Sequence, residues 1–341
     1  MGYKKSILVT GGAGFIGSNF IRHYLEQRKG SRIVNLDKLT YAGDLANLDG
    51  LEQNPNYTFI KGDICDLNLV NSIFNEFEIS AVIHFAAESH VDNSIENADD
   101  FIKTNIEGTY SLLKNAQDYW LSKKAGQSGK TDFRFHHVST DEVYGSLEEH
   151  GYFTEKTPYA PNSPYSASKA SSDFLVRSFH HTYGMNTVVS NCSNNYGPNQ
   201  HFEKLIPTII RKALSGDNIP IYGDGKNIRD WLYVEDHCRA LNLVFEQGTA
   251  GETYLVGGDN EKDNLTIATT ICGLLDKTIP KKSGSYTDQI TFVTDRPGHD
   301  FRYAVDFSKI KNELGWNPKE SFDSGLHKTI AHYSNKFLRK A

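Results

Sequence analysis

A run of apolar residues at 7–10 passes directly into Gly11-Gly12-Ala13-Gly14-Phe15-Ile16-Gly17, and a helical pattern follows. No other stretch narrows the fold as far. Glycines here let the backbone turn tightly and approach a pyrophosphate, which the free N–H groups and dipole of the following helix attract. A glycine fingerprint alone is weak. This one follows a strand, opens a helix, and is answered by Asp37 at the end of a second predicted strand. A carboxylate there accepts hydrogen bonds from both adenosine ribose hydroxyls and repels a 2′-phosphate, so the pattern predicts NAD rather than NADP. Gly11, Gly14 and Gly17 form the expected cradle, and Asp63-Ile64, after the third predicted strand, is placed to reach the adenine.

Apolar runs and helical patterns keep alternating, with strands predicted at 7–10, 33–36, 57–61, 81–85, 133–139 and 187–191 and helices at 15–27, 67–77, 99–122 and 165–183. This alternation predicts an α/β fold, a doubly wound (Rossmann) parallel sheet with crossover helices. The segment 123–131, punctuated by glycines, reads as an exposed loop. Past about 195 the prolines Pro198, Pro207 and Pro220 and the run Tyr222-Gly223-Asp224-Gly225 break the pattern into shorter elements. The expectation is a NAD-binding domain over residues 1–190 and a smaller, mainly substrate-binding domain over 191–341, with room for the chain to cross back to the sheet.

At 341 residues, 38% hydrophobic and 23% charged, the chain can bury a sizeable core. A formal charge of −6 argues against a general nucleic-acid binder, which usually carries a basic surplus. No apolar run approaches the roughly 20 residues that cross a bilayer. The first residues lead straight into a strand, so neither membrane contact nor a signal peptide is expected. Cys65, Cys192, Cys238 and Cys272 are scattered without a Cys-x-x-Cys pair, which predicts reduced thiols in a cytoplasmic protein. His136-His137 predicts a structural or solvent-facing pair rather than a metal site. Neighbours on a strand point to opposite faces, and no third ligand stands at helical spacing.

The chemistry concentrates in two segments, Ser139-Thr140-Asp141-Glu142-Val143-Tyr144-Gly145 and Tyr165-Ser166-Ala167-Ser168-Lys169. If the second is helical, Tyr165 and Lys169 share one face. A phenol is a poor base at neutral pH, its ordinary pKa being about 10. A cation ~4 Å away at an effective dielectric of 20 favours the phenolate by roughly 4 kcal/mol. Lys169 and a positive nicotinamide ring are therefore expected to bring Tyr165 near neutrality, with Thr140 holding the substrate hydroxyl. Oxidation alone has no use for Asp141-Glu142. Adjacent side chains on a straight strand face opposite ways, so both meet one substrate only if the backbone bends, which Gly145 permits. Like charges buried together raise one carboxyl's pKa, leaving one acid and one base.

Together these residues resemble the extended short-chain dehydrogenase/reductase family, and within it the branch that dehydrates nucleotide-linked hexoses. The likeness runs through nearly the whole chain: the glycine fingerprint, Asp37-Lys38-Leu39-Thr40-Tyr41-Ala42-Gly43, Ala86-Ala87-Glu88-Ser89-His90-Val91-Asp92, and the two reacting segments. It continues through Ser193-Asn194-Asn195-Tyr196-Gly197-Pro198, Arg229-Asp230-Trp231 and Asp295-Arg296-Pro297-Gly298-His299-Asp300. Thr140-Asp141-Glu142 is the most specific part, since epimerases of the same fold carry other residues there.

The resemblance implies a hydro-lyase with dTDP-glucose as substrate. Tyr165 would take the 4-hydroxyl proton as hydride leaves C4 for NAD. Glu142 would then remove the acidified C5 proton while Asp141 protonates the departing 6-hydroxyl. Hydride would return to C6, giving a nucleotide-linked 4-keto-6-deoxy sugar, the type of intermediate that leads to rhamnose. On the cofactor side the resemblance implies Phe15, Ile16, Lys38, Leu39, Thr40 and Asp63, with Ile64, Phe85, Ala86, Ala87, Ser89, Thr104 and Asn195. On the nucleotide-sugar side it implies Ser89, Thr140, Asn194, Lys204, Leu205, Pro220, Tyr222 and Asn264, with Arg229, Arg296 and His299. Lys204, Arg229 and Arg296 are the cations that a diphosphate needs in an acidic protein.

A homodimer pairing helices 99–122 and 165–183 of each subunit is implied as well. Three positions depart from the family pattern. Asn93 stands where Arg is common, 199–203 lacks a usual proline, and Phe301 replaces a usual Arg. Other readings on the same fold are a UDP-glucose dehydratase, an epimerase with its carboxylates idle, and a non-catalytic NAD-binding regulator, in which Thr140, Tyr165 and Lys169 would have no role.

Overall fold

Strands β1 (Lys5–Thr10), β2 (Ser31–Asp37), β3 (Tyr57–Lys61), β4 (Ala81–His84), β5 (Arg134–Thr140) and β6 (Thr187–Cys192) follow one another along the chain, with β7 (Asn194–Tyr196), β8 (Ile219–Tyr222), β9 (Ile228–Tyr233), β10 (Thr253–Val256), β11 (Glu261–Asp263) and β12 (Ile290–Val293) after them. The computed structural model describes residues 5–124, 133–295 and 297–338. Seven strands form one parallel sheet in the order β10-β6-β5-β4-β1-β2-β3. The order reverses between β1 and β4. In open α/β sheets a ligand crevice opens at such a reversal, beyond the carboxyl ends of the strands. β10 reaches this sheet from the far half of the sequence, pairing Thr253 to Val256 with Val189 to Cys192.

The strands bury both faces. On β1, Leu8 joins one core with Val34, Val82, Phe135 and Val176, while its neighbours Ile7 and Val9 join another with Phe20, Ile33, Ile83 and Leu241. Successive side chains on a strand alternate in direction, so a parallel sheet covered on both sides reads as a continuous apolar run. A third core, built around Ile209, Ile210, Ile219, Ile271 and Leu326, holds the C-terminal helices against β8 and β9. Two small sheets belong to that half, β11-β9-β7 and β12-β8.

The predicted elements appear with ends shifted by at most two residues. One differs in kind. The helix expected at 99–122 runs through Asp99–Phe101, a π-helical stretch Ile102–Gly108, and an α-helix Thr109–Lys124. A wide turn of this type commonly marks a functional position in a helix, and Thr104 and Asn105 lie in it. Lys123 and Lys124 end that helix rather than starting a loop, while residues 125–131 of the expected loop lie outside the described residues. Helix Pro164–Tyr183 is firmly bounded: Ser163 and Ser166 form a capping box, Pro164 opens the first turn, and Gly184 closes it at φ 65°. No helix among the described residues is long and apolar enough to cross a membrane.

Candidate active site

The carboxyl ends of β1, β4, β5 and β6 open on a cavity of about 320 Å³. Gly11, Gly14 and Gly17 form its glycine wall. Gly11 has φ 70°, and a Cβ there would stand 2.6 Å from the Ala86 nitrogen; at Gly17 it would stand 2.4 Å from the Gly11 carbonyl oxygen. Only a backbone without side chains fits this turn, and the helix Phe15–Gln27 begins directly behind it. Asp37 is buried, and its two oxygens accept the Ala13 and Leu39 amides at 2.8 Å each. Burial pushes its carboxyl up, and the two amides oppose that shift. The Lys38 ammonium pairs with Asp63 at 2.9 Å, so it is already engaged where a 2′-phosphate would need it. Asp63 also caps the Cys65 amide, combining a place in the cavity wall with the work of a loop cap.

Phe15, Ile16, Asp37, Lys38, Thr40, Asp63, Ile64, Phe85, Ala86, Ala87, Ser89, Thr104 and Asn195 all line this cavity, and Leu39 does not. Asn105, in the π-helical turn, fixes one wall. Its side chain accepts from the Glu88 amide at 2.9 Å and donates to the Glu88 carbonyl and to Ser168.

At the end of β5 the backbone bends into a 3₁₀ turn, Asp141–Tyr144, capped by Thr140, whose hydroxyl accepts from the Glu142 amide at 3.3 Å. Gly145 closes the turn at φ 87°, and a Cβ there would meet the Ala160 carbonyl at 2.5 Å. The bend brings Thr140, Asp141 and Glu142 into the same cavity as Tyr165 and Lys169. Asp141 is 1% exposed. Thr140 donates to its Oδ1 at 3.4 Å, and its Oδ2 has no hydrogen-bond partner among the described residues. Burial raises its pKa well above the carboxylate range, and the charges of Glu142 and Asp230 add to that; Arg229 and Thr140 oppose. Asp141 is thus held as the protonated acid.

Tyr165 is buried beside the two carboxylates, and its phenol lies well above its ordinary value, through burial first and then through Glu142, Cys192 and Asp141, with a Thr140 hydrogen bond opposing. The expected lowering toward neutrality called on Lys169 together with a positive nicotinamide ring. The Lys169 ammonium donates to the Val138 carbonyl at 3.0 Å and meets His137 at 3.5 Å. Burial also lowers Lys169 itself, to about 8.

Ser89, Asn194 and Lys204 line the other side of the cavity, with Lys204 donating to the Ser89 carbonyl at 2.9 Å. Leu205, Pro220, Tyr222, Arg229, Asn264 and His299 lie outside it, and Arg296 lies outside the described residues. Arg229 is buried, donating to the carbonyls of Ile228, Asp300 and Phe301 over the Tyr303 ring. Tyr222 faces His299, which bonds Asp295 at 2.7 Å. The segment that departs from the family pattern joins the cavity: Gln200, His201 and Glu203 line it, while Phe202 turns outward over Arg211. In the sequence those three stood out only as part of a departure from the family pattern, Ser193 only as the start of a motif and Cys192 only as a scattered thiol; none was marked as a site residue.

The family model described as GDP-mannose 4,6 dehydratase matches residues 8–329. A dTDP-glucose 4,6-dehydratase of Neisseria gonorrhoeae is 55% identical over 343 residues, spanning 99% of this chain and 98% of that relative. Another, from Xanthomonas campestris pv. campestris strain B100, is 56% identical over 327 residues, covering 96% and 92%. Among solved structures, the dTDP-glucose 4,6-dehydratase DesIV of Streptomyces venezuelae, crystallised with NAD and TYD bound, superposes with a TM-score of 0.88. It shares 44% identity, and the match covers 97% of each chain.

Proposed function

Since the chain belongs to the GDP-mannose 4,6 dehydratase family, within the extended short-chain dehydrogenases/reductases, we propose that it converts dTDP-glucose to dTDP-4-keto-6-deoxyglucose and water as a NAD-dependent hydro-lyase. The observation that carries this reading is the bend at the end of β5, which turns a buried, protonated Asp141 and its neighbour Glu142 toward the cavity that holds Tyr165. An oxidoreductase or epimerase has no use for that pair.

NAD fits the residues present: a glycine cradle that a Cβ would fill, a helix N-terminus behind it, and Asp37 at the end of β2. Bound there, NAD would supply a hydride acceptor for C4 and a hydride donor for C6, and its positive charge would favour the phenolate. The chain's own residues move the protons. Thr140 orients the 4-hydroxyl and Tyr165 accepts its proton. Glu142 takes the proton at C5, next to the new carbonyl, and a proton is restored to C5 when hydride returns to C6. Asp141 protonates the 6-hydroxyl as it departs, and burial keeps it armed at neutral pH. Lys204 and Arg229 attract the diphosphate.

The division into a cofactor part before about residue 190 and a substrate part after it follows this assignment, with β10 lent back to the sheet. Exposed Ile102, Tyr110, Leu121, Phe174 and Tyr183 lie along the two long helices and fit a homodimer that covers them. Four free thiols fit a cytoplasmic location.

The test is dTDP-glucose deuterated at C4, run beside the UDP form. Label should appear at C6 of the 4-keto-6-deoxy product, with turnover of the dTDP sugar exceeding that of the UDP sugar. Solvent hydrogen at C6 would rule out internal hydride return, and a faster UDP reaction would reassign the base.

A further inference from the structure

A connected set of buried polar groups lies directly behind the reacting residues, outside the cavity lining, and no step above uses it. Its hub is Asp173, 3% exposed and one helical turn beyond Lys169 on helix Pro164–Tyr183. Its Oδ2 accepts from the Tyr159 hydroxyl at 2.9 Å and from the Asn191 side chain at 3.0 Å. Its Oδ1 lies 3.2 Å from His137 Nε2, which in turn lies 3.5 Å from the Lys169 ammonium. The same Asn191 amide donates to the Thr140 carbonyl at 3.0 Å. One carboxylate thus lies behind Lys169, with the edge of the His137 ring between them, and reaches Thr140 through an amide.

The charges in this set are few. Burial, with Lys169, lowers His137 to about 4, although Asp173 pulls the other way, so the ring is neutral. His84, whose ring is 5.1 Å from that of His137, is lowered by burial as well. The Cys192 thiol and the phenols of Tyr144 and Tyr159 are all pushed up and stay protonated. Asp141 is protonated too, and Glu142 acts on Tyr165 and Cys192 from the cavity side. What is left facing the lysine is Asp173. A fully buried ammonium without a counter-charge gives up its proton, because desolvation penalises the charged form.

We propose that Asp173 is a positioning residue of this centre, the counter-ion of Lys169 across the edge of the His137 ring and the anchor of Thr140 through Asn191. It keeps the lysine charged and the threonine in register with Tyr165. The value of that charge to the reaction rests on the dehydratase reading, whereas the ion pairing belongs to the fold alone.

The experiment separates the two. Holoenzyme carrying [ε-¹³C]lysine is titrated by NMR, with the Lys169 signal assigned by its loss in Lys169→Arg. The parent midpoint is expected at about 8, and Asp173→Asn should lower it by roughly one pH unit or more. Asp173→Ser is the second variant, should the amide prevent folding. The alkaline limb of the rate of NADH appearance should move down by the same interval, and the rate should recover at lower pH. An unchanged Lys169 midpoint in either folded variant overturns the proposal, as does a rate loss equal at every pH. A midpoint that moves in a protein turning over no nucleotide sugar would uphold the ion pair and sink the dehydratase reading instead.

Discussion

The two sides of this cavity that we assign to the cofactor and to the substrate, the cofactor half and the substrate half, are built in different ways. In the first, wall residues come from short contiguous segments at the ends of β1, β2, β3 and β4, and nearly every one marked in the sequence lines the cavity. In the second, Ser89, Asn194 and Lys204 reach the cavity, while Arg229, Tyr222 and His299 sit on β9, β8 and the loop beyond β12. A dinucleotide is held by backbone and by one carboxylate, so its site is rigid and local. A nucleotide sugar has to be gripped from both ends by side chains from separate strands, and that grip depends on how well those strands are pinned together.

The largest effect is expected where backbone meets backbone. In Gly17→Ala the new methyl would stand 2.4 Å from the Gly11 carbonyl and 2.8 Å from the Gly12 Cα, neither of which can yield without opening the turn. Overpacking of this kind costs about 3 kcal/mol, ~100-fold in affinity for NAD. The purified variant should carry little NAD, measured by absorbance after denaturation, while binding of a dTDP sugar is far less affected. Equal loss of both ligands would break the distinction between the halves.

That rigidity also explains what could be read in the sequence. The strand–glycine–helix turn, Asp37 and the Tyr165–Lys169 spacing are local, and each survives into the structure at its expected place. The bend that aims Asp141 and Glu142 was legible as a need, with Gly145 as its means. What stayed hidden depends on distant contacts. Lys169 also meets Val138 and His137, in a polar interior built by Asp173 and Asn191 that no spacing rule reveals. His136-His137 reads in the sequence as a structural or solvent-facing pair, and its burial was not legible: His136 bonds Ser190 on one face while His137 meets Asp173 on the other. The π-helical turn around Asn105 has no signature of its own in composition or period.

A middle-sized effect should come from the pinning of the substrate half. Arg229→Ala takes a charged donor from the carbonyls of Ile228, Asp300 and Phe301, which keep the Tyr303 amide, the Asn227 side chain and the Ile228 amide, and it removes the cation above Tyr303. Hydrogen bonds from a charged group contribute about 1.5–3 kcal/mol. The melting temperature should drop, and KM for the nucleotide sugar should rise roughly tenfold, with NAD content unchanged. Arg229→Lys should restore the charge but not the fork of donors, recovering only part of the loss. If NAD content falls with KM, the two halves are coupled more tightly than their construction implies.

The smallest effect sharpens the comparison through pH. His237 is fully buried behind Asn195, with Nδ1 2.9 Å from the Asn195 side-chain oxygen, and burial lowers its pKa to about 3. His137, behind the reacting residues, is lowered to about 4. A histidine kept neutral when folded takes up a proton only on unfolding once pH falls below its unfolded value of about 6.5. Its contribution is therefore complete above that pH and is lost as pH falls. Each contributes about 1.4 kcal/mol of lost stability per pH unit below 6.5 until its folded pKa is reached. Urea unfolding at pH 6.5 and 5.5 should show this slope, and His237→Gln should reduce it by one histidine's share. His237→Gln should also leave the Lys169 midpoint unmoved, since Asp173 and His84, not His237, face that lysine. A shift in that midpoint would mean that the polar interior behind Asn195 and the one behind the reacting residues form a single electrostatic unit.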